Sequence, residues 1–171
     1  MKAIPNLLTG TRVAVALVIL VAPHSQLRLS LVLWAAASDF LDGYLARRLG
    51  AVSHFGSAFD LAADGAFFLS AFLAVWRTGD LPGLWLVLIL AASLPELVAQ
   101  AVLASRPRRP TGSLGRYWNK VLGGYSYVCV LAISAGFSAV PFAALQVAME
   151  LWANGMDLWV TVRPARLGRQ P

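Results

Sequence analysis

Residues 39–64 read DFLDGYLARRLGAVSHFGSAFDLAAD, a stretch that sets four aspartates and two spaced glycines inside an otherwise apolar chain. Asp39 and Asp42 are three residues apart, and Asp60 and Asp64 are four apart. Each spacing puts a pair of side chains on one face of a helix. The polar, glycine-bearing segment between the pairs favours a turn. We therefore expect two antiparallel helices that bring the four carboxylates together.

The composition places this cluster in a membrane protein. Of 171 residues, 58% are hydrophobic and only 13% are charged, which is too apolar for an ordinary soluble domain. We expect an all-α integral membrane protein, a single domain over residues 1–171, with six transmembrane helices and a short N-terminal interfacial helix at 2–11. Each predicted span is near the ~20 residues that cross a bilayer core. The spans are 7–22, 27–46, 57–76, 82–104, 117–137 and 140–162.

Positive charge is distributed unevenly along these spans. With six spans, both termini share a side with the connections between the second and third and between the fourth and fifth spans. Twelve of the 14 Lys and Arg residues fall on that side, and only Arg28 and Arg77 fall on the other. The positive-inside rule then puts the termini and the aspartates on the cytoplasmic face. We expect the membrane to be a bacterial inner membrane. This distribution explains the net charge of +6 without a nucleic-acid partner.

Four carboxylates gathered at membrane depth are too costly to stay ionised alone. Divalent cations with oxygen ligands remove that cost, and Mg²⁺ commonly joins carboxylates to substrate phosphates. Two such ions would clamp a phosphoryl group during transfer, and Arg47 would add a guanidinium suited to phosphate oxygens. The alternative is a buried ion-pair network of the acids with Arg47, Arg48 or Arg12. Against it, four acids on two helical faces exceed what pairing needs.

The spacing of the acids and small residues also resembles a known family. Residues 39–64 are similar to the full signature of the CDP-alcohol phosphotransferases, and they read Asp39-x2-Asp42-Gly43-x2-Ala46-Arg47-x8-Gly56-x3-Asp60-x3-Asp64. The resemblance implies transfer of a phosphatidyl group from a CDP-linked lipid, CDP-diacylglycerol, to an acceptor alcohol, with release of CMP. It implies that the four aspartates hold two divalent cations, Mg²⁺ or Mn²⁺, and that Asp64 takes the proton of the acceptor hydroxyl. It also implies a homodimer, and a site for cytidine diphosphate lined by Gly43, Ala46, Arg47 and Gly56.

Two further stretches resemble looser patterns of that family. Residues 5–12 resemble Pro-Asn-x-Leu-Thr-x-x-Arg, which adds Asn6 and Thr9 to the CDP site; the alternative is an interfacial anchor with a snorkelling Arg12. The basic segment 105–120 resembles, from Ser113 onward, a Ser-x-x-Gly-Lys pattern with arginine in place of lysine. It would bind an acceptor phosphate or rest on anionic lipid headgroups. The expected acceptor-phosphate ligands are Arg109, Arg116 and Lys120.

The second aspartate pair leaves the acceptor open. Members that make phosphatidylglycerophosphate or cardiolipin often read Asp-Pro-x-Ala-Asp-Lys there, and inositol-type members often read Asp-Ser-x-x-Asp-Arg. Here residues 60–65 read DLAADG. Glycerol 3-phosphate is the first expectation, from chain size and the basic segment; inositol phosphate, phosphatidylglycerol (as in a cardiolipin synthase) or another alcohol are alternatives.

Two other classes of protein place acids in membranes. A UbiA-type prenyltransferase would need a longer chain and well-separated acidic motifs. A divalent-cation transporter is opposed by Arg47 and by the position of the acids at one end of the helices. Glu96 and Glu150 also lie within predicted spans, where helix-to-helix hydrogen bonding or a dimer contact is at least as good an explanation as function.

Overall fold

The computed structural model describes residues 4–22, 24–48, 54–104 and 113–162, and these ranges consist of helices with short turns at 78–82 and 135–138. This outcome confirms the expectation of an all-α chain, and each predicted apolar span coincides with one helix. The helices are α1 (Ile4–Val21), α2 (Ser25–Arg48), α3 (His54–Arg77), α4 (Gly83–Ala104), α5 (Ser113–Ser134) and α6 (Ala139–Val162).

Two helices begin at positions that differ from the sequence prediction. Residues 4–11 are the first turns of α1, so the prediction of a separate interfacial helix is wrong. Pro5 does not interrupt them, because a proline in the first helical turn has no hydrogen bond to lose. Similarly, α5 begins at Ser113 and not at 117. Apolar residues at Leu114, Trp118 and Val121 keep a spacing of three to four and so extend the helix backwards.

The described helices differ in how well they fit a bilayer. Phe59–Arg77 is long and apolar enough to cross a membrane by itself, whereas Leu7–Val21, Gly83–Val98 and Val121–Ser134 are shorter apolar stretches. Large apolar side chains nevertheless cover the outside of the described part. More than half of the surface of each of Leu17, Leu33, Leu84, Leu151 and Trp152 is exposed. Such a surface suits contact with lipid better than contact with water.

Two glycines fix sharp reversals at the same end of the helices. Gly79, after α3, has a φ of +82°, and Gly136, after α5, has a φ of +91°. Backbone donors beyond each glycine return to the last helical turn, as from Asp80 N to Val75 O at 3.0 Å and from Phe137 N to Ala132 O at 3.0 Å. A left-handed glycine closes a helix in this way without a Cβ clash. The turns therefore run directly from α3 to α4 and from α5 to α6.

Helix α1 lies between α2 and α3. It packs against both, whereas α2 and α3 hardly touch each other in the described part of the chain. At one end, the buried Arg28 at the start of α2 donates to Thr78, just after α3, at 3.0 Å and pairs with Asp80. The helices α2 and α3 thus run antiparallel, but α1 separates them. Small buried residues such as Ala16 and Ala35 allow this close approach of backbones.

The remaining helices are joined by a buried polar network. Ser93 of α4 donates to the Glu150 carboxylate of α6 at 2.8 Å. Gln146, one turn earlier on α6, donates to Glu150 at 2.6 Å and to Ser126 of α5 at 2.9 Å. Glu150 therefore links helices by hydrogen bonds, which is one of the roles expected for it from the sequence.

Candidate active site

The four aspartates converge on one buried guanidinium, that of Arg12. Its Nη2 lies 3.2 Å from Asp39 Oδ1 and 2.7 Å from Asp42 Oδ2. Its Nη1 donates to Asp60 Oδ1 at 3.0 Å and also to Asp64. One nitrogen thus serves the α2 pair and the other serves the α3 pair. The carboxylates are gathered as their spacing predicts, but through a residue of α1.

Helix α1 supplies a second donor to the same site. The Thr9 hydroxyl, three residues before Arg12 and on the same face of α1, donates to Asp42 Oδ2 at 3.2 Å. Thr9 is itself buried, with 4% of its surface exposed. The Asp42 carboxylate therefore receives hydrogen bonds from both α1 residues, which fixes its orientation.

The four carboxylates differ in their access to the outside. The exposed fraction of the side chain is 41% for Asp39 and for Asp60, 32% for Asp64, and only 5% for Asp42. Asp42 and Arg12 therefore form the floor of the site. The other three aspartates form a rim that a cation or a substrate can reach.

The charge and geometry of the cluster fit a divalent metal ion. Four carboxylates and one guanidinium leave a formal charge of −4 + 1 = −3. Asp39, Asp42 and Asp60 each place one carboxylate oxygen within 4.8 Å of the others. Mg²⁺ and similar hard cations take oxygen ligands of this kind. The donor set and the uncompensated negative charge thus both suit such an ion.

The other predicted site residues occupy several parts of the structure. Gly43 follows Asp42, and Gly56 lies one turn before Asp60; both are partly buried beside the cluster. Asn6 belongs to the first turn of α1, and Ala46 and Arg47 belong to the last turns of α2. Arg116 and Lys120 both lie on the first turns of α5. The predicted spans put Arg116 in the connection before the fifth span, which is wrong, and Lys120 inside that span. The side chains of these last five residues, and all of Arg109, lie outside the described part of the chain.

Arg12 is the site residue whose role the sequence left undecided. The alternative of a snorkelling Arg12 is wrong, because its side chain has no exposed surface. The alternative of an ion-pair network does occur through Arg12, but it balances only one of four negative charges. Two sequence signals could have favoured a site role: the three-residue spacing from Thr9, and an arginine inside an apolar run, where burial requires acidic partners.

Comparisons with known proteins agree with the aspartate signature. A protein-family model described as CDP-alcohol phosphatidyltransferase matches residues 2–162. The CDP-diacylglycerol–glycerol-3-phosphate 3-phosphatidyltransferase of Pseudomonas fluorescens is 32% identical over 168 residues, covering 91% of this chain and 85% of that protein. A cardiolipin synthase (CMP-forming) of Streptomyces coelicolor is 29% identical over 75% of this chain and 60% of its own. A probable phosphatidylglycerophosphate synthase of Mycobacterium tuberculosis is 31% identical over 81% of this chain and 66% of its own. No solved structure matches the chain.

These comparisons decide between the classes that the sequence left open. Enzymes of the matched family are membrane-embedded, depend on a divalent metal ion and transfer a phosphatidyl group from a CDP-linked donor to an alcohol. A rim of carboxylates that can hold such an ion is what this chemistry requires. The match covers nearly the whole chain and leaves no support for a prenyltransferase or a cation transporter. The chain is a phosphatidyltransferase and belongs to the CDP-alcohol phosphatidyltransferase family.

Proposed function

We propose that this enzyme transfers the phosphatidyl group of CDP-diacylglycerol to a hydroxyl of glycerol 3-phosphate, forming phosphatidylglycerophosphate and CMP. The observation that carries the reaction type is the cluster of four aspartates on Arg12. The acceptor is supported by the Pseudomonas fluorescens relative, which is named for it and matches over most of both chains. The Mycobacterium tuberculosis relative, named as a probable synthase of the same product, agrees.

The proposed step exchanges one phosphorus–oxygen bond for another. The acceptor oxygen bonds to the β-phosphorus of the donor, the bond between that phosphorus and CMP breaks, and the acceptor proton passes to Asp64. Asp64 suits this role because its carboxylate is on the accessible rim. Two divalent cations, Mg²⁺ or Mn²⁺, supply charge neutralisation on the pyrophosphate and on the departing CMP when bound. Asp39, Asp42, Asp60 and Asp64 would hold them.

The chain's own residues then bind and orient the two substrates. Thr9 and Arg12 fix Asp42 at the floor of the site, so that the rim carboxylates keep their spacing. The missing side chains of Gly43 and Gly56 would let the nucleotide approach the helices closely. The remaining proposed contacts to cytidine diphosphate come from Asn6, Thr9, Ala46 and Arg47. The proposed contacts to the acceptor phosphate come from Arg109, Arg116 and Lys120, whose charge suits a phosphate oxygen.

We extend the proposal to the arrangement in the membrane. All six helices would cross the bilayer as a single homodimeric domain, with the termini and the aspartates on the cytoplasmic side. The distribution of lysine and arginine supports this orientation. A cysteine introduced at residue 2, probed in intact cells with a membrane-impermeant maleimide, should stay unlabelled until the cells are opened. Labelling in intact cells would show that the protein has the opposite orientation in the membrane. The native Cys129 is buried and gives little background.

A second acceptor is favoured by one comparison. The Streptomyces coelicolor relative is named a cardiolipin synthase, and the site chemistry would be the same with phosphatidylglycerol as the acceptor. The two candidates differ in the acceptor's charge and solubility. A single assay can therefore separate them.

The test is release of CMP by the purified protein in detergent with Mg²⁺ and CDP-diacylglycerol. The acceptor panel contains glycerol 3-phosphate, phosphatidylglycerol, inositol phosphate, inositol and serine. We expect release with glycerol 3-phosphate and loss of release in Asp64→Asn. Release with phosphatidylglycerol alone would show that the acceptor is phosphatidylglycerol and not glycerol 3-phosphate. A folded protein that releases no CMP with any acceptor would contradict the proposed function.

A further inference from the structure

One buried hydroxyl near the aspartates has no hydrogen-bond partner. Tyr127 of α5 has 8% of its surface exposed, and its Oη is out of contact with solvent. Within the described residues, this hydroxyl neither donates nor accepts a hydrogen bond. Buried polar atoms are nearly always paired in folded proteins, and exceptions often mark a functional role. The phenol therefore needs an explanation.

Helix α3 holds the Tyr127 ring directly beside the site. The ring packs against Phe67 and Phe68, with centroid distances of 5.5 and 4.8 Å. These two phenylalanines follow Asp64 by three and four residues, so they share its face of α3. The ring of Tyr127 is thus fixed one helical turn from Asp64, on the inner side of the bundle.

The hydroxyl is close enough to the site for its charges to act on it. Among the aspartates, Asp64 has the strongest electrostatic effect on Tyr127, and the Arg12 guanidinium acts on it as well. Tyr127 Oη has no contact with solvent, whereas the Asp64 side chain lies on the accessible rim. A substrate at the rim would meet Asp64 before it met Tyr127.

Arg12 holds the Asp64 carboxylate in this arrangement. The guanidinium donates to Asp64 Oδ1, and a carboxylate can accept further hydrogen bonds through its other lone pairs. An Asp64 that binds a cation and accepts a proton cannot remain fully engaged with Arg12. A second donor is then needed to keep the carboxylate in place.

We propose that Tyr127 is a positioning residue, whose hydroxyl donates a hydrogen bond to the Asp64 carboxylate once Asp64 turns from Arg12 to a bound metal ion. This inference rests on the proposed function of the aspartate site. Tyr127 acts through Asp64 and does not itself touch the reacting atoms. The phenol is within electrostatic range of Asp64, already buried and free of a competing partner among the described residues.

The matched pair of variants is Tyr127→Phe and Tyr125→Phe. Each removes one hydroxyl from the same helix, but the Tyr125 hydroxyl donates to the Phe142 carbonyl at 3.1 Å, away from the aspartates. A hydrogen bond to a charged group is large enough that its loss lowers a rate roughly 10- to 100-fold. We expect a fall of about this size in kcat for Tyr127→Phe, with the KM for CDP-diacylglycerol nearly unchanged. Tyr125→Phe should stay close to the parent enzyme.

A spectroscopic readout tests the hydrogen bond without turnover. In protein labelled with 3-fluorotyrosine, the ¹⁹F resonance missing from Tyr127→Phe identifies Tyr127. We expect that resonance to move when Mg²⁺ is added without substrate, while the resonance of Tyr125 stays in place. An unmoved Tyr127 resonance, in protein that calorimetry shows to bind Mg²⁺, would overturn the proposal.

The kcat measurements distinguish a failure of this inference from a failure of the proposed function on which it rests. If the parent enzyme is active and the two variants have equal kcat, Tyr127 does not position Asp64, and the proposed function stands. If the parent releases no CMP with any acceptor, the proposed function fails.

Discussion

Arg12 shows how much of the site depends on one side chain. Its planar fork lets one nitrogen meet the α2 pair and the other meet the α3 pair. A lysine, with a single charged atom on a flexible stem, could not span both pairs. A fully buried guanidinium is strongly destabilising without acidic partners. In the protein without metal, Arg12 and the aspartates therefore stabilise each other, and any bound cation would share the same oxygens.

Replacing Arg12 by glutamine should have opposite effects on folding and on metal binding. Breaking a buried ion pair costs about 3–5 kcal/mol, so metal-free Arg12→Gln should unfold at a lower temperature. The same cluster then carries a formal charge of −4 instead of −3, so its affinity for Mg²⁺ should rise. Thermal unfolding and calorimetric titration in detergent measure the two effects.

The control for this variant is Arg77→Gln. Arg77 is an exposed arginine that donates to the Leu20 carbonyl at 3.2 Å, at the opposite end of α1 from the aspartates. Its loss should change neither quantity by much. An Arg12→Gln protein with unaltered stability and unaltered Mg²⁺ affinity would show that Arg12 does not share the carboxylates with the metal.

The residue types of the site could be predicted from sequence, but their central contact could not. Spacings of three and four residues place Asp39 with Asp42 and Asp60 with Asp64, which needs only helix geometry. The contacts from Arg12 to Asp42 and Asp64 join residues 30 and 52 positions apart. They depend on how α1 packs, and no local pattern specifies that.

At the scale of helices, the bundle is fixed at both ends of α2 and α3. Arg12 of α1 joins the two helices at the aspartate end. At the other end, Arg28 reaches from α2 to Thr78 and Asp80 after α3, and Thr78 also donates to Asp80 at 2.6 Å. Arg28 is almost completely buried, with 2% of its surface exposed. This second contact holds α2 and α3 antiparallel, although α1 separates them.

Asp80→Ala should destabilise the bundle without changing the chemistry. It leaves the Arg28 guanidinium buried without its carboxylate, and an unpaired buried group costs about 1–3 kcal/mol. The unfolding temperature should fall, while CMP release per folded molecule should stay near that of the parent. The double variant Arg28→Met/Asp80→Ala should recover part of the loss, because the buried charge is gone. Equal stability of parent and Asp80→Ala would show that this pair does not hold the helices.

Helix positions were predictable where apolar runs are long, and less so at their ends. The break between α3 and α4 at Gly79 and the one between α5 and α6 at Gly136 were signalled by turn residues. The start of α5 was missed because Ser113, Gly115 and Arg116 made its first turn resemble a loop. The position of α1 between α2 and α3 has no periodic signal, because membrane helices are apolar on lipid-facing and buried faces alike.

At the scale of the whole molecule, an apolar exterior surrounds a charged interior. Outward-facing side chains such as Leu17 and Leu84 are about two-thirds exposed. Apart from Glu96 and Glu150, the charged groups of the described part, by contrast, collect at the two ends of α2 and α3. A charged site at one end of a lipid-facing bundle lets a water-soluble acceptor meet a lipid donor. This arrangement agrees with a membrane-embedded phosphatidyltransferase.

The most direct test of the central claim, that the aspartate cluster drives metal-dependent transfer, is CMP release measured against Mg²⁺ concentration. The parent enzyme, Asp60→Asn and Asp80→Ala would be compared with CDP-diacylglycerol and glycerol 3-phosphate. We predict that a chelator abolishes release and that Mg²⁺ restores it. Asp60→Asn should lower the rate roughly 100-fold or more and require more Mg²⁺, whereas Asp80→Ala should retain the metal dependence of the parent. Release that persists in chelator, or that Asp60→Asn leaves unchanged, would contradict the claim.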